Sequence, residues 1–198
     1  MEEIKCVGGR IFFVDETSDE VVEFYDQNGV VIEHVGVGST PWGYRVVKEG
    51  SKPKYWVFSH RISSWLEWWP SGIRCIELGT SVEFGSGMQN SNAAIDKLEN
   101  VPGRNRSIWG ALALARRDAM DGCSDWFIPS KGELDVLREF FVANADRLCL
   151  INPFDITWLW SSSETSAQSA WYWGCNLQAW NDYYFKNDNH SFVAVRAF

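Results

Sequence analysis

The stretch DWFIPSKGELDVL, residues 125–137, changes its pattern at a proline and indicates how the chain folds around it. The apolar residues before the proline predict a short extended segment over 125–128. Ser130 and Glu133 then have the spacing of a capping box. In this motif each side chain accepts a hydrogen bond from the other residue's backbone amide at the start of the helix. The stretch therefore predicts an extended segment followed by a helix over residues 130–144.

Two further helices are predicted N-terminal to this stretch. The first covers residues 91–98. In the second, Ser107 can cap the first turn and Gly122 can end the helix. Apolar residues recur between them at the spacing of one helical face, namely Ile108, Leu112, Ala115 and Ala119.

Short apolar and β-branched runs separated by turn residues predict strands in the rest of the chain. Before residue 80 they lie at 10–14, 20–25, 30–35, 43–48 and 54–59, and after residue 153 at 156–160, 171–175 and 192–198. Asn28-Gly29 supplies the positive φ angles of a type I′ turn and predicts a first hairpin; Glu49-Gly50-Ser51 predicts a second. Strands, then helices, then strands indicate an α+β fold.

The apolar segments also predict a core. We expect the following side chains to be mostly buried: Trp126, Phe127, Ile128, Trp160, Trp171, Val193, Val195 and Phe198.

Composition excludes several classes of protein. The chain has 198 residues and a formal net charge of −8, which disfavours binding to nucleic acid or to an anionic membrane surface. No apolar run is long enough to insert into a membrane, and no signal peptide is seen, so we expect display on a virion or cell surface through another partner, or a cytoplasmic location. Five scattered cysteines form no metal motif, and neither a metal nor another cofactor is expected.

The segment before the last predicted strand has an unusual composition. From Tyr172 to Phe192, ten of 21 residues are Asn, Asp, Tyr or His. Antibody loops use similar chemistry, because tyrosine gives a large contact area with few torsions to fix and asparagine adapts its hydrogen bonds. The residues alone fit equally well with an ordinary polar loop whose aromatic side chains fold back onto the core.

Five motifs together resemble the bacterial and phage family known as the domain of unknown function 1566. They are GSGMQNSN at 85–92, DWFIPSKGELDVL at 125–137, WSSSE at 160–164, Ala170-Trp171, and VAVRAF at 193–198. The resemblance covers residues 81–198. The motif GGRIFF at 8–13 is also similar to the hairpins that precede this domain in gut-bacterial members.

This resemblance implies a C-type lectin-type fold of the formylglycine-generating-enzyme-like subtype, with a β-rich N-terminal portion. Residues 1–80 would pack as hairpins on a lectin-type domain at 81–198. One group in the family comprises the variable proteins of diversity-generating retroelements, in which codons of a C-terminal repeat are randomised at adenines. The variable region would correspond to residues 165–192, and randomised Asn codons yield Asp, Tyr, His and Ser among others.

The function implied is non-enzymatic binding of a protein or glycan partner through a diversified C-terminal surface. Its side chains should be exposed and clustered on one face. The residues expected to bind the ligand are Tyr172, Trp173, Gly174, Asn176, Leu177, Gln178, Trp180, Asn181, Asp182, Tyr183, Tyr184, Asn187, Asp188, Asn189 and His190.

Three alternatives stay open. The first is an adhesin or glycan-binding module of the same fold with fixed specificity. The second is calcium-dependent sugar binding, because Trp180-Asn181-Asp182 matches a tripeptide of calcium-dependent lectins, although their companion Glu-Pro-Asn or Gln-Pro-Asp segment is missing. The third is an enzyme similar to formylglycine-generating enzymes, for which Cys175 is the only C-terminal cysteine.

Overall fold

The computed structural model describes residues 63–99, 101–118, 124–148 and 158–197, together with five short strands before residue 59. Within these residues the fold is α+β, with three α-helices and a short 3-10 helix at Arg104–Arg106. The helices are α1 Gly87–Leu98, α2 Ile108–Arg117 and α3 Lys131–Leu148. The strands are β1 Phe12–Val14, β2 Val21–Tyr25, β3 Val31–Ile32, β4 Arg45–Val46, β5 Trp56–Phe58, β6 Ser63–Glu67, β7 Leu159–Glu164, β8 Ala170–Gly174, β9 Ala179–Asn181, β10 Asn189–Phe192 and β11 Val195–Ala197.

The largest sheet among the described residues has five strands in the order β6-β10-β7-β8-β9. β10 pairs antiparallel with β6 and parallel with β7, where Ser191 lies opposite Leu159. A second sheet has the order β11-β5-β4, and a third the order β1-β2-β3. The β6–β10 and β5–β11 pairs join segments on both sides of residue 80, and a division of the chain there remains a prediction.

Both predicted N-terminal hairpins are confirmed by strand pairing. β2 pairs antiparallel with β3, and β4 pairs antiparallel with β5. Their turns at 28–29 and 49–51 lie outside the described residues. The single last strand predicted at 192–198 is wrong: β10 and β11 are separate because the chain leaves the five-stranded sheet after Phe192 and joins β5 in another sheet.

Tryptophan dominates the core between the helices and the five-stranded sheet. Trp68, Trp109, Trp126 and Trp160 are all fully buried. The rings of Trp68 and Trp109 meet edge to face with their centroids 4.9 Å apart, a favourable arrangement of aromatic quadrupoles. The core therefore connects the segment after β6 to the helices and to β7.

Most of the predicted core is confirmed. Trp126, Phe127, Ile128, Trp160, Val193 and Val195 each expose 1% or less of their surface. Trp171 is less completely buried than these residues and lies beneath the Lys131 ammonium, 5.6 Å from the ring centroid. The side chain of Phe198 lies outside the described residues.

The capping box at the start of α3 is confirmed in both directions. The Glu133 amide donates to Ser130 Oγ at 3.2 Å, and the Ser130 amide donates to Glu133 Oε2 at 2.5 Å. Glu133 also accepts from the Gly87 amide at 3.3 Å, so one carboxylate caps both α1 and α3. A Cβ at position 87 would overlap this carboxylate and the Ile128 carbonyl, which explains the glycine. Burial raises the pKa of Glu133 to about 7, although these amides oppose the shift.

Helix boundaries differ from the predictions where the cap is remote in sequence. α1 begins four residues earlier than predicted, because its first amide reaches Glu133. The predicted cap of α2 is confirmed, since Ser107 Oγ accepts from the Gly110 amide at 3.2 Å. α2 ends at Arg117 rather than Gly122, because Asp118 leaves helical geometry at φ −85° and ψ 7°.

Candidate ligand-binding surface

The predicted variable region contains the β8–β9 hairpin, whose register sorts its side chains onto two faces of the sheet. Tyr172 lies opposite Asn181, and Trp173 lies opposite Trp180. Because successive strand residues point to opposite faces, Tyr172 and Trp173 have different surroundings. Both are nevertheless buried, with exposed fractions of 3% and 4%.

One face of the hairpin is covered by α3. The Arg138 guanidinium lies 5.0 Å from the Trp173 ring centroid, and Lys131 Nζ lies 4.9 Å from that of Trp180. Trp180 Nε1 donates to Asp135 Oδ1 at 2.6 Å. These cation–π contacts and this hydrogen bond fix the two tryptophans against the helix, so Trp173 offers little surface to a ligand.

The other face carries an aromatic cluster made of Trp158, Trp160, Tyr172, Tyr184 and His190. The Tyr184 and Trp158 rings stack at 5.3 Å, and His190 lies between 4.4 and 5.2 Å from all four other rings. His190 is 2% exposed, and within the described part of the chain its ring nitrogens lack side-chain hydrogen-bond partners. Burial lowers the pKa of His190 to about 4 and raises that of Tyr172 to about 12, so both side chains are neutral at pH 7.

Lys186 anchors the segment between β9 and β10. Its side chain is fully buried, and Nζ lies 2.9 Å from Glu164 Oε2 and 3.1 Å from the Ile76 carbonyl oxygen. The ammonium also lies 4.5 Å from the ring centroid of Trp68. The other Glu164 oxygen accepts the amides of Leu78 and Gly79 at 2.6 and 2.8 Å.

The backbone of Lys186 is held as firmly as its side chain. Its amide donates to the Gln168 carbonyl at 2.7 Å, and its carbonyl accepts the Trp69 amide at 2.6 Å. Burial lowers the pKa of the Lys186 ammonium, while Glu164 opposes that shift. Neighbouring segments at 68–79 and 164–168 thus fix the middle of this loop.

Exposure alternates along residues 183–190. Four side chains point to solvent and form what we call the outward row: Tyr183, Phe185, Asn187 and Asn189. The four between them are buried or half-buried and form the inward row: Tyr184, Lys186, Asp188 and His190. Each inward side chain has a partner within the fold: aromatic rings for Tyr184 and His190, Glu164 for Lys186, and the Phe185 amide for Asp188.

A second exposed group lies at the β8–β9 turn. Asn176, Leu177 and Gln178 are exposed, and Gln178 takes a left-handed backbone conformation with φ 50°. The turn follows the Gly174–Ala179 pair, whereas the outward row begins beyond Asn181 at the opposite end of the hairpin. The exposed residues therefore form two groups, one at each end of the β8–β9 hairpin.

The predicted binding residues divide into three sets. Exposed are Asn176, Leu177, Gln178, Asp182, Tyr183, Asn187 and Asn189, and half-buried are Trp180, Tyr184 and Asp188. Buried are Tyr172, Trp173, Gly174, Asn181 and His190. For this last set the expected exposure is wrong, because α3 covers one face of the hairpin and the aromatic cluster occupies the other.

Sequence reasoning missed several residues that shape this surface. Phe185 is 60% exposed in the outward row, and its place two residues after Tyr183 was the available signal. Lys186 and Glu164 carry no local signal for each other, because their pairing depends on how β7 and the loop meet. On the neighbouring strand β6, which pairs with β10, Trp65 is 69% exposed.

The WSSSE motif serves the fold. Ser161, Ser162 and Ser163 are fully buried. Ser161 Oγ donates to the Trp171 carbonyl at 2.9 Å and Ser163 Oγ to the Ser81 carbonyl at 2.7 Å, while Ser162 Oγ accepts from Asn90 Nδ2 at 3.1 Å. These hydroxyls tie β7 to the neighbouring strand, to α1 and to the segment before it.

Within the described ranges, no three His, Cys, Asp or Glu side chains converge where a metal ion could bind. Asn181 of the lectin-like tripeptide is buried, and its side-chain Nδ2 donates to the Ala179 carbonyl at 2.9 Å. None of the helices in this part of the chain has the length and apolar character that a bilayer crossing requires.

Comparison with known proteins found similarity at the level of structure. No family model and no curated protein matches the sequence. Among solved structures, the chain is similar to a fimbrial protein from Bacteroides ovatus, with 14% sequence identity and a TM-score of 0.47. The similarity covers 72% of this chain and 35% of that chain. A likeness at this level carries no argument about family or function.

Proposed function

We propose that the protein is a non-enzymatic binding protein whose ligand contacts the outward row, together with Asp182. The observation that carries this proposal is the alternation along residues 183–190. Every inward side chain is occupied by the fold, whereas the outward side chains are presented to solvent by a backbone that is fixed at Lys186. A rigid scaffold that presents a polar and aromatic loop is the usual design of a recognition surface.

We further propose that the scaffold is of C-type lectin type and that exposed Asn, Asp and Tyr residues of this region are diversified, as in retroelement variable proteins. Support comes from the motif set and from exposed residues of the Asn, Asp and Tyr group: Asn176, Asp182, Tyr183, Asn187 and Asn189. Exchange at these positions leaves the inward contacts intact, so a scaffold of this kind tolerates variation there.

A library test addresses this proposal directly. The full chain is displayed on phage with these five codons varied over the products of adenine randomisation, and selected on streptavidin beads. A matched library varies the buried positions Tyr172, Asn181 and His190 in the same way. We expect protease-resistant clones and streptavidin binders from the first library, and loss of folded clones from the second. Equal loss of folded clones from both libraries would contradict the proposal.

A second candidate is a fixed-specificity adhesin or glycan-binding module. The observation that favours it is the burial of Tyr172, Asn181 and His190, because part of the unusual composition then has a structural cause. The genome distinguishes the two candidates. A diversified protein requires a near-copy of the segment encoding residues 165–192 that differs at adenines, beside a reverse transcriptase gene. Absence of both favours fixed specificity.

A further inference from the structure

The outward row begins with two aromatic rings that the fold leaves in solvent. Tyr183 is 81% exposed and Phe185 is 60% exposed. The ring between them, Tyr184, turns inward and stacks on Trp158. Because the chain buries most of its other large aromatic side chains in this region, two neighbouring exposed rings mark a surface available to a partner.

The charge of this surface is one-sided. Lys186 is the only lysine or arginine between Glu164 and Val195, and its ammonium is buried against the Glu164 carboxylate. The one histidine in that span, His190, is buried among aromatic rings. Asp182 is exposed and directly precedes Tyr183, whereas the half-buried Asp188 carboxylate accepts the Phe185 amide. Among the described residues between Glu164 and Val195, the exposed face therefore carries a carboxylate and aromatic rings and no cation.

The adjoining loop does not reverse this balance. Residues 71–79 approach through the contact of Lys186 with the Ile76 carbonyl. The exposed charged residues of that loop are Arg74 and Glu77, which are opposite in sign. This loop therefore adds no net charge beside the outward row, and the whole chain has a formal net charge of −8.

We propose that the outward row docks a protein segment that carries arginine or lysine side chains, a proposal that rests on the binding function proposed above. A guanidinium or ammonium group can lie over the Tyr183 or Phe185 ring and pair with the Asp182 carboxylate. Aromatic faces attract cations through their quadrupole, and a nearby carboxylate adds a charge-assisted hydrogen bond. Burying the Lys186 charge inside the fold leaves the partner to supply the positive charge.

The test uses the full ¹⁵N-labelled chain and two capped pentapeptides at low ionic strength. Each peptide has glycine at its first, third and fifth positions. The second and fourth positions are arginine in one peptide and citrulline, the neutral analogue of arginine, in the other. We expect amide shifts confined to residues 182–189 and binding of the arginine peptide about two- to fivefold tighter than the citrulline peptide. Tyr183→Leu and Phe185→Leu should each weaken arginine-peptide binding about two- to fivefold, because they remove an aromatic face but keep an apolar side chain.

A charge-matched control separates local recognition from general attraction. Asp182→Asn and Asp96→Asn change the net charge equally, and both positions are exposed. We expect only Asp182→Asn to weaken the arginine peptide. Equal weakening by the two variants, equal binding of the two peptides, or preference for a matched glutamate peptide would each overturn the cationic partner. If any of these results occurs while the library of five exposed positions still yields streptavidin binders, the cationic partner is overturned but the proposed binding function is retained.

Discussion

The inward and outward rows of residues 183–190 share a chain segment and much of their chemistry, yet differ in what holds them. Tyr184 and Tyr183 are neighbours, but the first stacks on Trp158 and the second is 81% exposed. Lys186 pairs with Glu164 inside the protein, whereas Asn187 beside it faces solvent. The composition of this segment therefore does not determine which of its side chains are exposed and available to a partner.

The largest expected difference comes from a matched pair of double variants. Tyr172→Ser with Asn181→Ser should lower the free energy of unfolding by about 4–6 kcal/mol, because a buried ring and a buried hydrogen bond are lost. Tyr183→Ser with Asn187→Ser makes the same chemical changes at exposed positions and should cost about 1 kcal/mol or less. Urea denaturation measures both. Similar losses in the two variants would erase the distinction between buried and exposed positions.

Breaking the anchor of the inward row should have the next largest effect. Lys186→Met leaves the Glu164 carboxylate buried without its cation and should cost about 3–5 kcal/mol. Asn187→Met is the neighbouring exposed control and should change stability by about 0.5 kcal/mol or less. Adding Glu164→Gln to Lys186→Met should recover part of the loss. If Lys186→Met lowers the free energy of unfolding no more than Asn187→Met does, the Lys186–Glu164 pair does not fix the loop.

The inward row should also respond to acid through His190. Its pKa of about 4 in the folded protein lies below the usual 6.5, so the unfolded chain binds the proton more readily between these values. The stability contributed by the buried, neutral His190 is fully present above pH 6.5. It is lost as pH falls through 4, which lowers the free energy of unfolding by about 1–3 kcal/mol.

The His190 contribution must be separated from that of Glu133. Glu133 acts in the opposite sense, because its raised pKa of about 7 makes stability fall as pH rises from 4.5 through 7. The difference between the wild type and His190→Phe therefore isolates the histidine. If thermal melts of the two proteins between pH 4 and 7 differ by a constant amount, His190 is not the acid-sensitive group.

The smallest effect should come from Trp180, which is half-buried and belongs to neither row. Trp180→Phe keeps an aromatic ring but removes the hydrogen bond to Asp135, and should cost about 1 kcal/mol. In the Asp135→Asn background the same change should cost less, because the charge-assisted bond is already weakened. A double-mutant cycle by chemical denaturation measures this coupling. Zero coupling would mean that the bond does not hold the hairpin on α3.

Local signals predicted much of the fold, because their cause lies within a few residues. The Ser130–Glu133 spacing and the Ser107 cap gave helix starts, and paired strands appear where apolar runs flank turn residues. Remote partners were not predictable. The start of α1 depends on Glu133, which follows Gly87 by 46 residues. Likewise, one apolar run from Phe192 onward does not reveal that the chain changes sheets.

The candidate surface was located but not resolved by sequence. The Asn, Asp and Tyr content of residues 172–192 pointed to a segment that has exposed side chains, and five of these belong to that group. The burial of His190 and Lys186 depends on Trp158, Trp160 and Glu164, whose positions follow from sheet order. The alternation of exposed and buried side chains along residues 183–190 was also not predicted, since tyrosine occurs in both rows.

The position of β10 between β6 and β7 has a consequence for biosynthesis. Asn189 pairs with Glu67, about 120 residues earlier, so the five-stranded sheet stays incomplete while the ribosome translates everything between them. Domains that emerge in order can usually fold from the N-terminus, but here β6 and β7 wait for the strand that joins them. Such distant pairing slows folding, and it leaves the edges of β6 and β7 unpaired until β10 has been synthesised. The nascent chain should therefore depend on chaperones until residues 189–192 leave the exit tunnel.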